Sequence, residues 1–144
     1  MPSDTNYDSP PDPLIYFVDR CLGGRVVPAV LREQGVRVEV HADHFRHDEK
    51  DEVWLPDVAR RGWVVVTKDK HIRRRPLERE AMLRAGARAF SLTSGNLTAP
   101  QMAAILLTHL PTIEHLVRTR PTPLIASVSR TVISIYDPTT RKFT

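Results

Sequence analysis

The 144-residue chain has a single cysteine, Cys21, which excludes an internal disulfide framework and fits a protein of the reducing cytoplasm. No apolar run approaches the roughly 20 residues of a membrane-spanning helix, so a membrane is not an expected partner. Met1 to Pro13 is polar and proline-rich, lacks a signal-peptide pattern, and reads as a flexible N-terminal arm. Aromatic residues make up only 6% of the chain, which argues against base stacking as the main source of any nucleic-acid affinity. What is present suits one soluble domain: 41% hydrophobic and 26% charged residues, in a length that can bury one substantial core.

The net charge of +4 is less informative than its distribution. Glu39 to Asp57 holds seven acids against two bases, and Arg60 to Arg88 holds ten bases against three acids. An acidic zone beside a basic one is what a cation-dependent enzyme acting on a polyanion needs. Two solvated helix faces would give the same pattern.

Hydrophobic periodicity predicts alternating strands and helices. Leu14–Val18 reads as a buried strand and Arg25–Gln34 as a helix with Val26, Val27, Val30 and Leu31 on its apolar side, closed at Gly35. Val36, Val38 and Val40 alternate with polar residues, as in a strand near the sheet edge. After the polar loop His41–Lys50, a helix runs to Arg61 and stops at Gly62. Pro56 either opens that helix near Leu55 or kinks one that starts earlier. Trp63–Thr67 is an almost wholly apolar strand, Arg75–Ala85 a helix, and Ala87–Leu92 a fourth strand. Leu97–Arg118 is the longest helix, with Thr98 as its start signal, Ile105, Leu106, His109, Leu110 and Ile113 at helical spacing, and Pro111 expected to bend or divide it. Leu124–Val128 and Thr131–Tyr136 read as a hairpin around Ser129-Arg130. The β-α repetition implies a parallel α/β sheet covered by helices on both faces, with the hairpin added to it. The expected divisions are an arm over 1–13, an α/β domain over 14–118 and a C-terminal extension over 119–144.

Two apolar runs end on aspartate, Ile15-Tyr16-Phe17-Val18-Asp19 and Trp63-Val64-Val65-Val66-Thr67-Lys68-Asp69. In a parallel sheet both carboxylates emerge at the edge where open α/β folds bind ligands. Asp43 follows the second strand, Thr93, Ser94 and Asn96 follow the fourth, and Asp48, Asp51 and Glu52 stand near the start of the helix entering strand three. An oxygen-only set favours Mg²⁺ or Mn²⁺ over zinc. Asp48 and Asp51 could equally cap the helix and complement its dipole. His41, His44 and His47 suggest a zinc cluster, but no further sulfur or histidine pair completes one. Cys21 reads as a packed or half-exposed thiol rather than a nucleophile. The run Lys68-Asp69-Lys70-His71-Ile72-Arg73-Arg74-Arg75 sets phosphate-binding side chains beside an acid, suited to tracking a nucleic-acid backbone.

Asp19 after the first strand, the Asp51-Glu52 helix start and the strand ending in Thr67-Lys68-Asp69 resemble the PIN-like nuclease domains, in particular the bacterial VapC-type branch of toxin-antitoxin toxins. The resemblance spans about Leu14 to Asn96 and implies a three-layer α/β/α fold with a central, mainly parallel sheet of four to five strands. It also implies a Mg²⁺- or Mn²⁺-dependent endoribonuclease that hydrolyses RNA phosphodiester bonds and pairs with a protein antitoxin. Carried over by position, the catalytic and metal-binding acids are Asp19, Asp51 and Asp69, with Asp48 or Glu52 as substitutes for the helix acid. Lys70, Arg73, Arg74 and Arg75 would bind the nucleic acid. The fourth acid of the family is missing, and Ser94 or Asn96 stands in that region. A homodimer would use apolar surface on the long helix or the hairpin. Two other readings stay open: a receiver-like regulatory domain phosphorylated on Asp69, with Thr93 beyond the fourth strand, and a non-catalytic nucleic-acid binder.

Overall fold

The β-branched and aromatic runs become the strands of one sheet. The computed structural model describes residues 10–68, 76–93 and 95–144, the side chain of Glu78 excepted. Five strands run parallel: β1 (Ile15–Val18), β2 (Arg37–Val40), β3 (Val64–Lys68), β4 (Arg88–Leu92) and β5 (Leu124–Val128). Then β6 (Ile133–Asp137) pairs antiparallel with β5, and β7 (Lys142–Phe143) antiparallel with β6. The order across the sheet is β2-β1-β3-β4-β5-β6-β7.

Helices cover both faces, which is why the central strands are mostly apolar and the edge strand β2 keeps alternating Arg37 and Glu39. On one face α1 (Val26–Glu33) packs along α4 (Ala99–Thr119), and Leu31, Leu106 and Ile113 meet Val18, Val64 and Val66. On the other, α2 (Asp51–Arg60) packs along α3 (Pro76–Ala85), and Trp54, Val58 and Met82 meet Phe17 and Val65. Neighbouring residues of one strand thus enter different cores, as the period of two in a strand requires.

The order reverses between β1 and β3. From β1 the chain crosses by α1 to β2 at the edge, then returns by α2 to β3 on the other side of β1. The helices that follow β1 and β3, α1 and α3, therefore lie on opposite faces of the sheet, the topology in which open α/β folds bind ligands at the carboxyl ends of the strands.

Several local expectations change. Val26 is exposed, because the buried side of α1 is formed by Val27, Pro28 and Leu31 at the i, i+1, i+4 positions. The α2 helix starts at Asp51, with Pro56 inside it. Glu52, whose carbonyl proline leaves without its helical donor, is exposed, so water can satisfy that group. Likewise α4 continues through Pro111 as one helix, opened by a capping box in which Thr98 Oγ1 accepts from Gln101 N–H and Gln101 Oε1 from Thr98 N–H. The predicted hairpin is the β5–β6 pair, continuous with the main sheet through β4, and β7 adds a short edge strand that was not anticipated. No helix of the described residues is long and apolar enough to cross a membrane.

Candidate active site

Asp19 owes its position to the register of β1 and β3. Val18 pairs with Val66, and the Asp19 N–H continues the ladder one residue past the strand by donating to the Val66 carbonyl at 3.0 Å. The chain then turns into a short 3-10 segment, Arg20–Leu22, which Asp19 caps: its Oδ1 accepts the Arg20 N–H at 2.7 Å. On the other oxygen, Oδ2, Thr67 donates its hydroxyl at 3.0 Å from the last turn of β3, with Cys21 Sγ at 3.6 Å. A carboxylate bonded on both oxygens is fixed in orientation, and at 16% exposure its outer edge still reaches solvent.

Asp51 arrives from the opposite wall. It opens α2, where its charge complements the helix dipole. Its Oδ1 accepts the indole N–H of Trp54 at 3.0 Å, one turn along the helix. Trp54 is fully buried among Phe17, His41 and Phe45, with ring centroids 5.3, 5.4 and 6.3 Å away. The aromatic residues, few in number, are thus concentrated beneath this acid: both tryptophans and two of the four phenylalanines lie in this cluster.

Arg20 joins the two acids. Its Nη1 lies 3.9 Å from Asp19 Oδ1 and its Nη2 3.6 Å from Asp51 Oδ1. The same guanidinium reaches His41 Nε2 at 2.8 Å. Arginine can only donate, so this nitrogen accepts and the imidazole is neutral with its proton on Nδ1. Burial, and then the Arg20 charge, hold His41 below its ordinary pKa of 6.5. His41 itself is the first residue beyond β2, whose Val40 is level with Val18 of β1.

The arrangement gathers two carboxylates, one arginine and a neutral imidazole at the carboxyl ends of β1 and β2, with a hydroxyl from β3. A model of the PIN-like domain matches residues 14–94, the β1-to-β4 portion that builds this site. A Mycobacterium tuberculosis protein named "Putative ribonuclease VapC45" is 35% identical over 116 residues, 78% of this chain and 83% of the relative. The chain belongs to the PIN-like family. No solved structure matches it significantly.

Among the described residues, this PIN-like site unites Asp19 and Asp51 and leaves the other predicted groups apart. Asp48 is largely exposed and pairs with Arg46 at 3.3 Å, and Glu52 and Asn96 are exposed. Of the helix acids, only Asp51 is seen to join Asp19 through Arg20. Asp43 is exposed at the end of a 3-10 turn. Asp69, Lys70, Arg73, Arg74, Arg75 and Ser94 lie outside the described residues. The histidines go separate ways: His41 bonds Arg20, His44 bonds Glu39 at 2.6 Å, and His47 is exposed.

Four participants were not given these roles from sequence: His41 was named only for a possible zinc cluster, and Thr67 only within the strand that ends at Asp69. Thr67 and Trp54 are visible there only as members of an apolar strand and helix, and nothing in their spacing marks them as donors to carboxylates 48 and 3 residues away. Arg20 stands next to Asp19, and His41 ends a strand, yet the contact between them spans 21 residues and depends on the β1–β2 pairing.

Proposed function

We propose that this PIN-like protein is an endoribonuclease that hydrolyses RNA phosphodiester bonds with Mg²⁺ or Mn²⁺, and that it is the toxin of a toxin-antitoxin pair. The observation that carries the reading is the convergence of Asp19 and Asp51 on one positive charge in the β1–β3 crevice. Family membership and the ribonuclease name of the mycobacterial relative support it.

The residues fit a hard divalent cation. Both acids offer carboxylate oxygens, they come from different elements, and the charge they share in this structure belongs to a guanidinium held at 3.6–3.9 Å, too far for tight bidentate pairing. Asp19 and Asp51 would hold the cation, with Asp69 immediately beyond β3. Asp48 and Glu52 are left as alternates to Asp51. Ser94 or Asn96 takes the place of a fourth acid, which favours one cation over two. When bound, such an ion supplies Lewis acidity at a phosphate oxygen and lowers the pKa of its water.

The remaining work falls to the chain. Asp51, anchored by the buried Trp54, orients the attacking water and accepts its proton. Asp19 keeps its orientation through Thr67 and the Arg20 N–H. Lys70, Arg73, Arg74 and Arg75 bind the phosphates of the RNA backbone. An antitoxin encoded nearby would restrain the enzyme. A second copy would pack on the hairpin edge, where Val132 is 55% exposed. The large exposed apolar side chains of the described residues include none on α4, so the helix contributes less to such a contact. The receiver-like alternative finds no support at Thr93, whose hydroxyl is turned to the Val128 carbonyl at 3.4 Å.

The test is cleavage of varied RNAs by purified protein with Mg²⁺ or Mn²⁺. Wild type should cut and Asp19→Asn should not. Equal inertness of the two sinks the catalytic reading. RNA binding without turnover that survives chelation would make the chain a non-catalytic binder instead.

A further inference from the structure

We propose that Arg20 is the resident counter-cation of the acid pair, which a divalent metal must displace, and that the displaced guanidinium then serves the substrate phosphate. The inference rests on the function proposed above and concerns the same site.

Three contacts define the role. Arg20 lies within ion-pair distance of Asp19 and Asp51 and is held by His41 Nε2 at 2.8 Å. Two carboxylates facing one crevice repel each other, and Arg20 removes that cost when no metal is bound. A second cation brought into the same space meets Arg20 at short range, where like charges repel strongly. Metal and guanidinium therefore compete for the same oxygens.

The geometry lets Arg20 yield without leaving. Its guanidinium lies beyond hydrogen-bond range of the acids, so they hold it by charge alone, which an incoming cation can replace, while His41 holds it by a hydrogen bond. At 32% side-chain exposure Arg20 is partly open to solvent, so its guanidinium can turn away from the acids. His41 is a fixed post: buried, packed at tilted and edge-on angles against Phe17, Phe45 and Trp54, and neutral, so it accepts a hydrogen bond without adding charge. Once released from the acids, the planar fork of donors matches a phosphodiester's non-bridging oxygens. Lysine at this position could not hold His41 and present a fork at once.

Calorimetric titration of the full chain with Mn²⁺ alone tests the competition. Arg20→Ala should bind Mn²⁺ about fivefold more tightly than wild type, the loss of one or two screened ion pairs. Its KM for RNA should rise, since the phosphate contact is gone. Arg20→Lys should fall between the two in Mn²⁺ affinity. If Arg20→Ala loses its fold in thermal melts, Arg20→Gln, neutral but still a donor to His41, carries the same comparison. A wild type that binds no Mn²⁺ defeats the proposed cation site itself. A wild type that binds Mn²⁺ no more weakly than the Arg20 variants overturns the competition alone. Tighter Mn²⁺ binding with unchanged KM overturns the phosphate role.

Discussion

The ends of β1 and β4 are built alike and do different things. Each strand is followed by one polar residue, Asp19 or Thr93, whose N–H donates to the neighbouring strand at 3.0 Å, to Val66 or to Val128. The registers match as well, Val18 beside Val66 and Leu92 beside Val128. Yet the Thr93 hydroxyl folds back on the same Val128 carbonyl, whereas the Asp19 carboxylate receives donors from Arg20, Thr67 and Cys21 and faces Arg20's charge. The parallel sheet repeats a position; the chemistry is made by what converges there. Among the described residues, only at the β1 end does the strand order reverse and a second acid, Asp51, arrive from another element.

Substitutions at the two ends should separate them most sharply. Asp19→Asn should cut RNA turnover by about 10²–10³-fold, the range for removing one group that fixes the charge stabilising the transition state. Thr93→Val should leave turnover within about twofold and cost about 1 kcal/mol for its hydroxyl bond. Comparable losses from both would erase the distinction. Trp54→Phe comes next: it keeps an aromatic ring in the cluster but removes the donor to Asp51, a bond to a charged acceptor worth about 1.5–3 kcal/mol. Urea midpoints should fall accordingly, and turnover should drop with Asp51 no longer anchored.

Thr67→Val, close to isosteric, should cost about 1.5 kcal/mol, the low end for a bond to a charged acceptor since Cys21 Sγ still reaches the same oxygen, and a few-fold in turnover by loosening Asp19 Oδ2. Unchanged turnover would mean that β3 does not orient the acid. The smallest effect is one of pH. His41 is held below its ordinary 6.5, so between the lowered folded value and 6.5 the unfolded chain binds more protons. The stabilisation is present above pH 6.5 and is lost as pH falls through the folded value. Denaturation at pH values above and below 6.5 should show a shallower acid loss for His41→Gln than for wild type, and equal slopes would remove His41 from the account.

Much of the fold was legible because parallel strands buried on both faces leave apolar runs, and a run broken by an acid, as at Val18-Asp19, marks a strand end. The prolines were not legible. Pro56 and Pro111 each cost a helical hydrogen bond, but whether a helix survives depends on the packing of residues such as Trp54, Leu55 and Ile113, which local sequence does not display. Val26 failed for a related reason: the apolar arc of the helix ran from Val26 to Leu31, and the side that packs is centred beyond its far end, on Val27, Pro28 and Leu31, leaving Val26 outside. At the site, Asp19 and Asp51 could be named from the resemblance, with Asp48 and Glu52 only as substitutes, but the Trp54 bond to Asp51 and the Arg20 bridge to Asp19 have no signal in local sequence. The Arg20–His41 contact follows from the pairing of two strands and has no local signature at all.

The central claim is that Asp19 and Asp51 form one cation site from which Arg20 can be moved. Anomalous diffraction from crystals soaked in Mn²⁺ tests it most directly. A single peak within bonding distance of both carboxylates, with the Arg20 guanidinium withdrawn from them and still on His41, is the predicted result. A peak elsewhere, or none while Arg20 keeps its place between the acids, would contradict it.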